Sequence, residues 1–211
     1  VSRSPASTPR GRHAPPLAVR QDRQRQRLFA AAAAVFSRAG YADATAEAIA
    51  REAGMSKATF YEHFDNKEDC IVALFETAVG VVNATMRAAG EDGTGGLRDR
   101  VHVTVHAFLQ ALVDHPEVAQ TLLVEIVGAG PRAMAHRDAA LEGVADAVDG
   151  FNRDDVERGV AERFRSPHDA FAIVGAVVEL ASRQIRTGRP EAIQDLEPVV
   201  ERLVLGLVGG A

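Results

Sequence analysis

The sequence predicts an all-α protein, and three observations carry that prediction. Alanine, valine and leucine supply most of a 46% hydrophobic content, while aromatic residues make up 5% of the chain, a balance that favours helices. Apolar side chains recur three and four residues apart, the spacing of one helix face. Serine, threonine or aspartate stands before several of these stretches and glycine after them, as helix starts and stops require. The chain, at 211 residues, can hold one sizeable domain or a small module fused to a larger one.

Residues Val1 to about Val19 are rich in Ser, Pro, Arg and Gly and lack apolar periodicity, so residues 1–19 are expected to form a disordered basic arm. From Gln21 the pattern is helical: Leu28, Ala31, Ala32, Val35 and Phe36 share a face, and Gly40 supplies the stop. Thr45 is placed to cap a short second helix, AEAIAREA, whose Ala46, Ile49, Ala50 and Ala53 form a stripe that ends at Gly54. Ser56 caps a short third helix, and Asp65-Asn66 ends it and caps a long fourth, with Ile71, Phe75, Ala78, Val79, Val82 and Met86 on one side. The EDGTGG segment, Glu91 to Gly96, breaks the pattern.

A helix with Val101, Val105, Phe108, Leu109 and Leu112 follows, then a shorter one from near Pro116 and a break at GAGP, where Pro131 suits a first helical position. A longer polar helix is expected from Arg132 to Phe164, with Gly150 as a point of interruption. Two helices close the chain, about Pro167 to Thr187 and Glu191 to Val208. The first is apolar almost all round from Ala170 to Ala181, and the second carries a broad stripe of Leu196, Val199, Val200, Leu203, Val204, Leu207 and Val208.

Charge divides the chain. The first 67 residues hold 11 basic and 6 acidic side chains, a net of +5, and the remainder holds 13 and 23, a net of −10. A basic front on an acidic body suits a nucleic-acid-binding module joined to a different kind of domain, although seven of the eleven basic residues precede Leu28 and a merely basic tail would give the same count. The lone Cys70 cannot form an intrachain disulfide, which fits a reducing cytoplasm or indifference to redox state. The run LFAAAAAVF is alanine-dominated and lacks a cleavage site, so it reads as a buried helix rather than a signal peptide. No run of about 20 apolar residues is expected to span a bilayer, the nearest being Ala170 to Ala181 with its Glu179.

The third helix is the most informative. Phe60 and Phe64 fall on one line as i and i+4 and can seat it on the first two helices, which leaves its other faces free. Ser56, Lys57, Ala58 and Thr59 form its first turn, where free amides favour phosphate and where a groove-entering helix puts its base-reading side chains. Tyr61, His63 and Lys67 follow as donors. Two short helices joined at Gly54, the second polar at its front, make a helix-turn-helix pattern.

The run GYADATAEAIAREAGMSKATFYEHFDNKEDC, Gly40 to Cys70, resembles the DNA-binding domain of the tetracycline-repressor (TetR) family: a glycine-aromatic step, a threonine cap, an Ile-Ala pair, a glycine turn, Ser-Lys, small-Thr, aromatic-Tyr, His-aromatic and a lysine-led fourth helix. The resemblance covers roughly Arg23 to Phe75. It implies an N-terminal three-helix helix-turn-helix domain over 20–66, followed by a helical effector-binding and dimerisation domain over 67–211. It also implies DNA-binding roles for Thr45 and Lys67 on backbone phosphate, Ser56, Lys57, Ala58 and Thr59 at the reading turn, Tyr61 at the groove wall and His63 on phosphate. Glu47 departs from the pattern, because relatives often carry a basic or polar residue there and a carboxylate is repelled by phosphate unless it accepts from a cytosine amine. Arg20, Arg23, Arg25 and Arg27 are candidates for further phosphate or minor-groove contacts.

The last two helices are expected to form a homodimer through a four-helix bundle, since a helix apolar all round must be covered on two sides and a symmetric pair of reading helices matches a palindromic double-stranded DNA operator. In the resembled family the body receives a small effector. Val79, Val82, Met86, Val105, Phe108, Leu109, Leu122, Leu123, Ile126 and Met134 are candidate lining residues, each of which also suits a plain core, and an apolar effector fits them. His102 and His106 stand at i and i+4 in HVTVH, a spacing that can share a cation, and with Glu125 they are candidate polar contacts for the effector. No HExxH, cysteine cluster, nucleophile triad or phosphate loop accompanies them, so no catalytic residue, metal or cofactor is assigned.

The reading is a cytoplasmic, nucleoid-associated, ligand-responsive regulator that represses a promoter until its effector binds. Its rivals are a metal- or cofactor-dependent helical enzyme using His102, His106 and Glu125, and a DNA-binding protein of the same fold that senses nothing.

Overall fold

The computed structural model describes residues 16–92 and 95–208. Most of the expected disordered arm, and Gly93-Thr94 of the EDGTGG break, lie outside the described residues. Among the described residues there is no strand. The helices are α1 Leu17–Asp43, α2 Ala46–Glu52, α3 Lys57–Tyr61, α4 Lys67–Asp92, α5 Leu97–Asp114, α6 Pro116–Leu123, α7 Pro131–Glu157, α8 Asp169–Thr187 and α9 Glu197–Val208, with 3-10 turns at Glu125–Gly128 and Ile193–Leu196.

The local signals set most of these limits. Gly40 adopts φ +76°, a conformation that strains any L side chain, and breaks the helical path of α1 near its end. Thr45 and Ser56 cap α2 and α3, and Gly130, at φ +113°, delivers Pro131 to the first turn of α7. Three boundaries, and the apolar length of one helix, differ from the sequence reading. Leu17 to Val19 belong to α1 rather than to the arm, because Pro16 precedes the helix instead of interrupting it. α7 runs through Gly150 and ends at Glu157, where Gly159 takes φ +71°. The turn Ile193–Leu196 stands before α9, which starts later than expected. α4, over Lys67–Gly90, is the one described helix long and apolar enough to cross a membrane by length and composition, since Glu76 is its only charge between Cys70 and Met86.

One hydrophobic cluster joins the N-terminal three helices to the body. Leu28 and Phe36 of α1, Ile49 of α2, Phe60 of α3, Ile71 of α4, Leu109 of α5 and Ile126 all have no exposed surface and belong to it. The helix-turn-helix is therefore seated on the rest of the chain, so a shift of α1 or α4 must move α3 as well. Beyond that junction α4 packs on α5 and α7, α5 on α9, and α7 on α8. A smaller cluster of Ala145, Ala170 and Val174 joins α7 to α8.

Candidate nucleic-acid interface and effector cavity

The reading head is assembled by caps on one side and aromatic rings on the other. Thr45 Oγ1 accepts from the Ala48 N–H and Ser56 Oγ from the Thr59 N–H, each at 3.1 Å, which satisfies an orphan amide at the start of α2 and of α3. At the other end of α2, Arg27 Nη2 donates to the Ala53 carbonyl at 2.6 Å. Phe60 and Phe64 lie under α3 with ring centroids 5.5 Å apart, and Phe64 also meets Phe29 of α1 at 5.7 Å. Arg25 lies over both Phe29 and Phe64, so this arginine is committed to the aromatic seat.

What faces out is polar. Thr45, Ser56, Lys57 and Ala58 are exposed, Thr59 is half-buried, and Tyr61 is 47% exposed with its ring edge-on to Phe60. The carboxylate of Glu47 on α2 takes a short hydrogen bond from the Lys57 ammonium on α3, so the two helices present one continuous face. That bond holds the Glu47 carboxyl below the usual range and the Lys57 ammonium above it.

Two expected phosphate donors sit differently. Lys67 donates to the carbonyls of Tyr41 at 2.8 Å, Ala42 at 3.0 Å and Ala44 at 3.0 Å, and lies 4.4 Å from the Tyr41 ring centroid. All three ammonium protons are thus used inside the protein, because the break at Gly40 leaves these carbonyls without helical partners. His63 Nε2 is buried and has no partner among the described residues, since the ring turns toward Phe64, 6.2 Å away.

In the body, α4, α5, α6, α7, α8 and α9 surround a cavity of about 470 Å³. Its wall includes the expected Val79, Val82, Met86, Val105, Phe108, Leu122 and Leu123. Leu109 and Ile126 are instead fully buried in the core below it, and Met134 does not reach it. Much of the wall comes from helices assigned to other duties: Ala140, Leu141, Val144, Val148 and Phe151 of α7, Ile173, Val174, Val177 and Val178 of α8, and Val200, Val204 and Val208 of α9. The α7 stripe was present in the sequence at helical spacing but hidden in a polar helix. Polar lining gathers at Arg100 on α5 and at Asn152, Asp155 and Arg158 toward the end of α7, with Arg100 and Asp155 in an ion pair whose side chains are 15% and 12% exposed.

The expected polar contacts do not line the cavity. Glu125 Oε2 accepts from the Tyr41 N–H at 2.8 Å and its Oε1 from Gln120 Nε2 at 2.9 Å, because the 3-10 turn that carries it abuts the end of α1. His102 and His106 face α9, where they meet Glu201 and Glu197. The three are not one site, which removes the geometry on which the enzyme reading rested.

Residues 28–74 match the family model for bacterial regulatory proteins of the tetR family. The HTH-type transcriptional activator FasR of Mycolicibacterium smegmatis is 30% identical over 191 residues, 90% of this chain and 84% of that protein. The chain belongs to the TetR family. Among solved structures, the fatty acid degradation regulator FadR of Bacillus halodurans superposes with a TM-score of 0.79 at 21% identity, covering 87% of this chain and 95% of that one. FadR of Bacillus subtilis, solved in complex with stearoyl-CoA, gives 0.75 at 18% identity over 85% and 96% of the two chains. This TetR-family chain is accordingly a DNA-binding transcriptional regulator rather than an enzyme, and its fold is theirs.

Proposed function

We propose that the chain is a cytoplasmic homodimeric regulator that holds a palindromic operator through α3 and releases it when a long-chain acyl thioester enters the body cavity. The observation that carries this reading is the cavity: about 470 Å³, walled by valine, leucine, phenylalanine and methionine, with arginines at its polar part. That volume lies within the roughly 300–1,000 Å³ of small-ligand sites. An apolar chain suits such walls, and an anionic head group suits the excess of Arg100, Arg137 and Arg158 over Asp154 and Asp155 in the lining. The stearoyl-CoA bound by the B. subtilis protein of the same fold supports this ligand class. A cavity of this size also argues against a body that senses nothing.

The dimer reading rests on α8 and α9. Each gives one side to the cavity and leaves apolar surface on another, with Phe171 46% and Val199 40% exposed. Because α4 leaves the reading head at Lys67 and lines the cavity at Val79, Val82 and Met86, a ligand that fits one placement of α4 better than another changes the spacing of the two heads. The sign of control depends on where the operator lies, and the mycolicibacterial relative is named an activator. The proposal commits to release.

The test uses a fluorescent duplex chosen from genomic fragments that the protein retains. Stearoyl-CoA is expected to lower DNA affinity at least tenfold, while free coenzyme A leaves it unchanged. An affinity unaffected by saturating stearoyl-CoA, or equally affected by coenzyme A alone, would overturn the assignment of the cavity.

A further inference from the structure

The two histidines that missed the cavity make a cluster of their own. His102 Nδ1 lies 2.7 Å from Glu201 Oε1, and His106 Nδ1 lies 2.8 Å from Glu197 Oε1. Each pair of like residues is spaced i and i+4, so two one-turn ladders on α5 and α9 face each other. The imidazole centroids are 6.1 Å apart with their planes 31° from parallel. Ligand atoms of His102, Glu197 and Glu201 all lie within 4.8 Å of one another, and His106 stands outside that trio, joined to it through Glu197.

We propose that His102, His106, Glu197 and Glu201 hold one divalent transition-metal ion of the zinc class, which clamps α5, a wall of the cavity, to α9. A four-coordinate zinc ion with bonds of about 2.0–2.1 Å needs its ligand atoms roughly 3.4 Å apart, so the four side chains draw together when the ion binds. The electrostatics favour a cation. Glu197 and Glu201 are 16% and 21% exposed, and among the described residues neither is paired with a lysine or arginine. Once the ion has displaced any imidazole protons, the donors are two neutral rings and two carboxylates, whose two negative charges a divalent ion cancels in a partly desolvated cleft. The imidazoles are about half exposed, which leaves an entry path from solvent. Two nitrogen and two oxygen donors select a zinc-class ion over magnesium or calcium, which take oxygen donors alone.

The site does not compete with the dimer. At about 100° per residue, Glu197 and Glu201 lie on the same side of α9 as Val204 and Val208, which line the cavity, whereas the exposed Val199 points the other way. The inference stands apart from the acyl-thioester reading, since it needs neither DNA nor effector.

The test is a zinc titration of the full, tag-free chain after chelator treatment, by calorimetry, followed by cobalt as a spectroscopic probe. The expected result is one equivalent bound with Kd below about 10 µM, unaffected by excess magnesium, and a cobalt spectrum of a low-coordinate N/O site. His102→Ala and Glu201→Gln are each expected to weaken zinc at least tenfold, and the His102→Ala/His106→Ala double variant to abolish binding. His136→Ala, which breaks the separate His136–Glu76 pair, is expected to leave it intact. Circular dichroism establishes that each variant is folded. Absence of stoichiometric binding to the native chain, or equal affinity in the folded double variant, would overturn the proposal.

Discussion

Glu125 Oε2 accepts the backbone N–H of Tyr41 at 2.8 Å, across 84 positions of chain, and so ties the turn after α6 to the broken end of α1. Gly40, which makes the break, leaves that N–H without a helical partner. This is a polar link between the body and the reading head, beside the shared apolar core. Glu125→Ala is expected to cost about 1–3 kcal/mol of stability, the price of a part-buried donor left unpaired. It is also expected to reduce the effect of stearoyl-CoA on DNA affinity. Urea unfolding and DNA titration with and without the ligand check the two effects separately, and a variant with native stability would show the contact to be idle.

Lys67 works on the same carbonyl cluster. Its three donors reach Tyr41, Ala42 and Ala44, and methionine in its place fills the space while leaving those acceptors without their shared donor. Lys67→Met is expected to lower stability by about 1–3 kcal/mol, with any loss of DNA affinity following from the loosened head. Thermal unfolding in the absence of DNA separates this role from a phosphate contact, which would leave the free protein as stable as before.

Glu47 restrains Lys57 on the exposed face. Glu47→Gln removes the carboxylate and frees the ammonium, so binding to non-specific DNA is expected to tighten, with the slope of log K against log salt steeper by about 1. Tyr61→Ala is expected to weaken operator binding by about 1–3 kcal/mol while the dimer survives. Fluorescence anisotropy over a salt series measures both, and an unchanged slope for Glu47→Gln would mean that Lys57 meets no phosphate.

The reading head was legible because its signals are local. Thr45, Gly54, Ser56 and the Phe60–Phe64 step each fix backbone or packing within a few residues, and the structure realises all of them. The cavity was half legible. An apolar side chain at helical spacing satisfies a core and a cavity wall equally, so Leu109 and Val105, four residues apart on α5, could not be told apart before packing was known. The intramolecular partners of Lys67 and His63 were not legible, because their sequence neighbours offer no hint of the carbonyls or rings they meet. Glu197 and Glu201 lie more than 90 residues from the histidines they meet, a distance over which periodicity carries no information.

Val144 lines the cavity from α7, together with walls supplied by α4 and α5. Val144 also packs beside the Ala145, Ala170 and Val174 cluster, so Val144→Trp is checked for folding by circular dichroism, and its added bulk is expected to occupy part of the volume that the effector needs. DNA binding should then persist, with the release by stearoyl-CoA weakened at least tenfold. A variant that still releases DNA at the native ligand concentration would put the effector elsewhere.

His102 gives a pH dependence whose sign follows from its contacts. The hydrogen bond to Glu201 raises the His102 pKa above the ordinary 6.5, with the charges of Glu201, Glu197 and Asp99 acting in the same direction and desolvation opposing them. A group whose pKa is higher in the folded state contributes stability that is complete below its unfolded value and lost as pH rises through the folded one. The stability gap between the native chain and His102→Gln is therefore expected to be widest below the ordinary imidazole value of 6.5 and to shrink as pH rises above it, measured by thermal unfolding in chelator so that no metal intervenes. A gap that stays constant or widens with pH would mean that the His102–Glu201 contact does not hold α5 to α9 in solution.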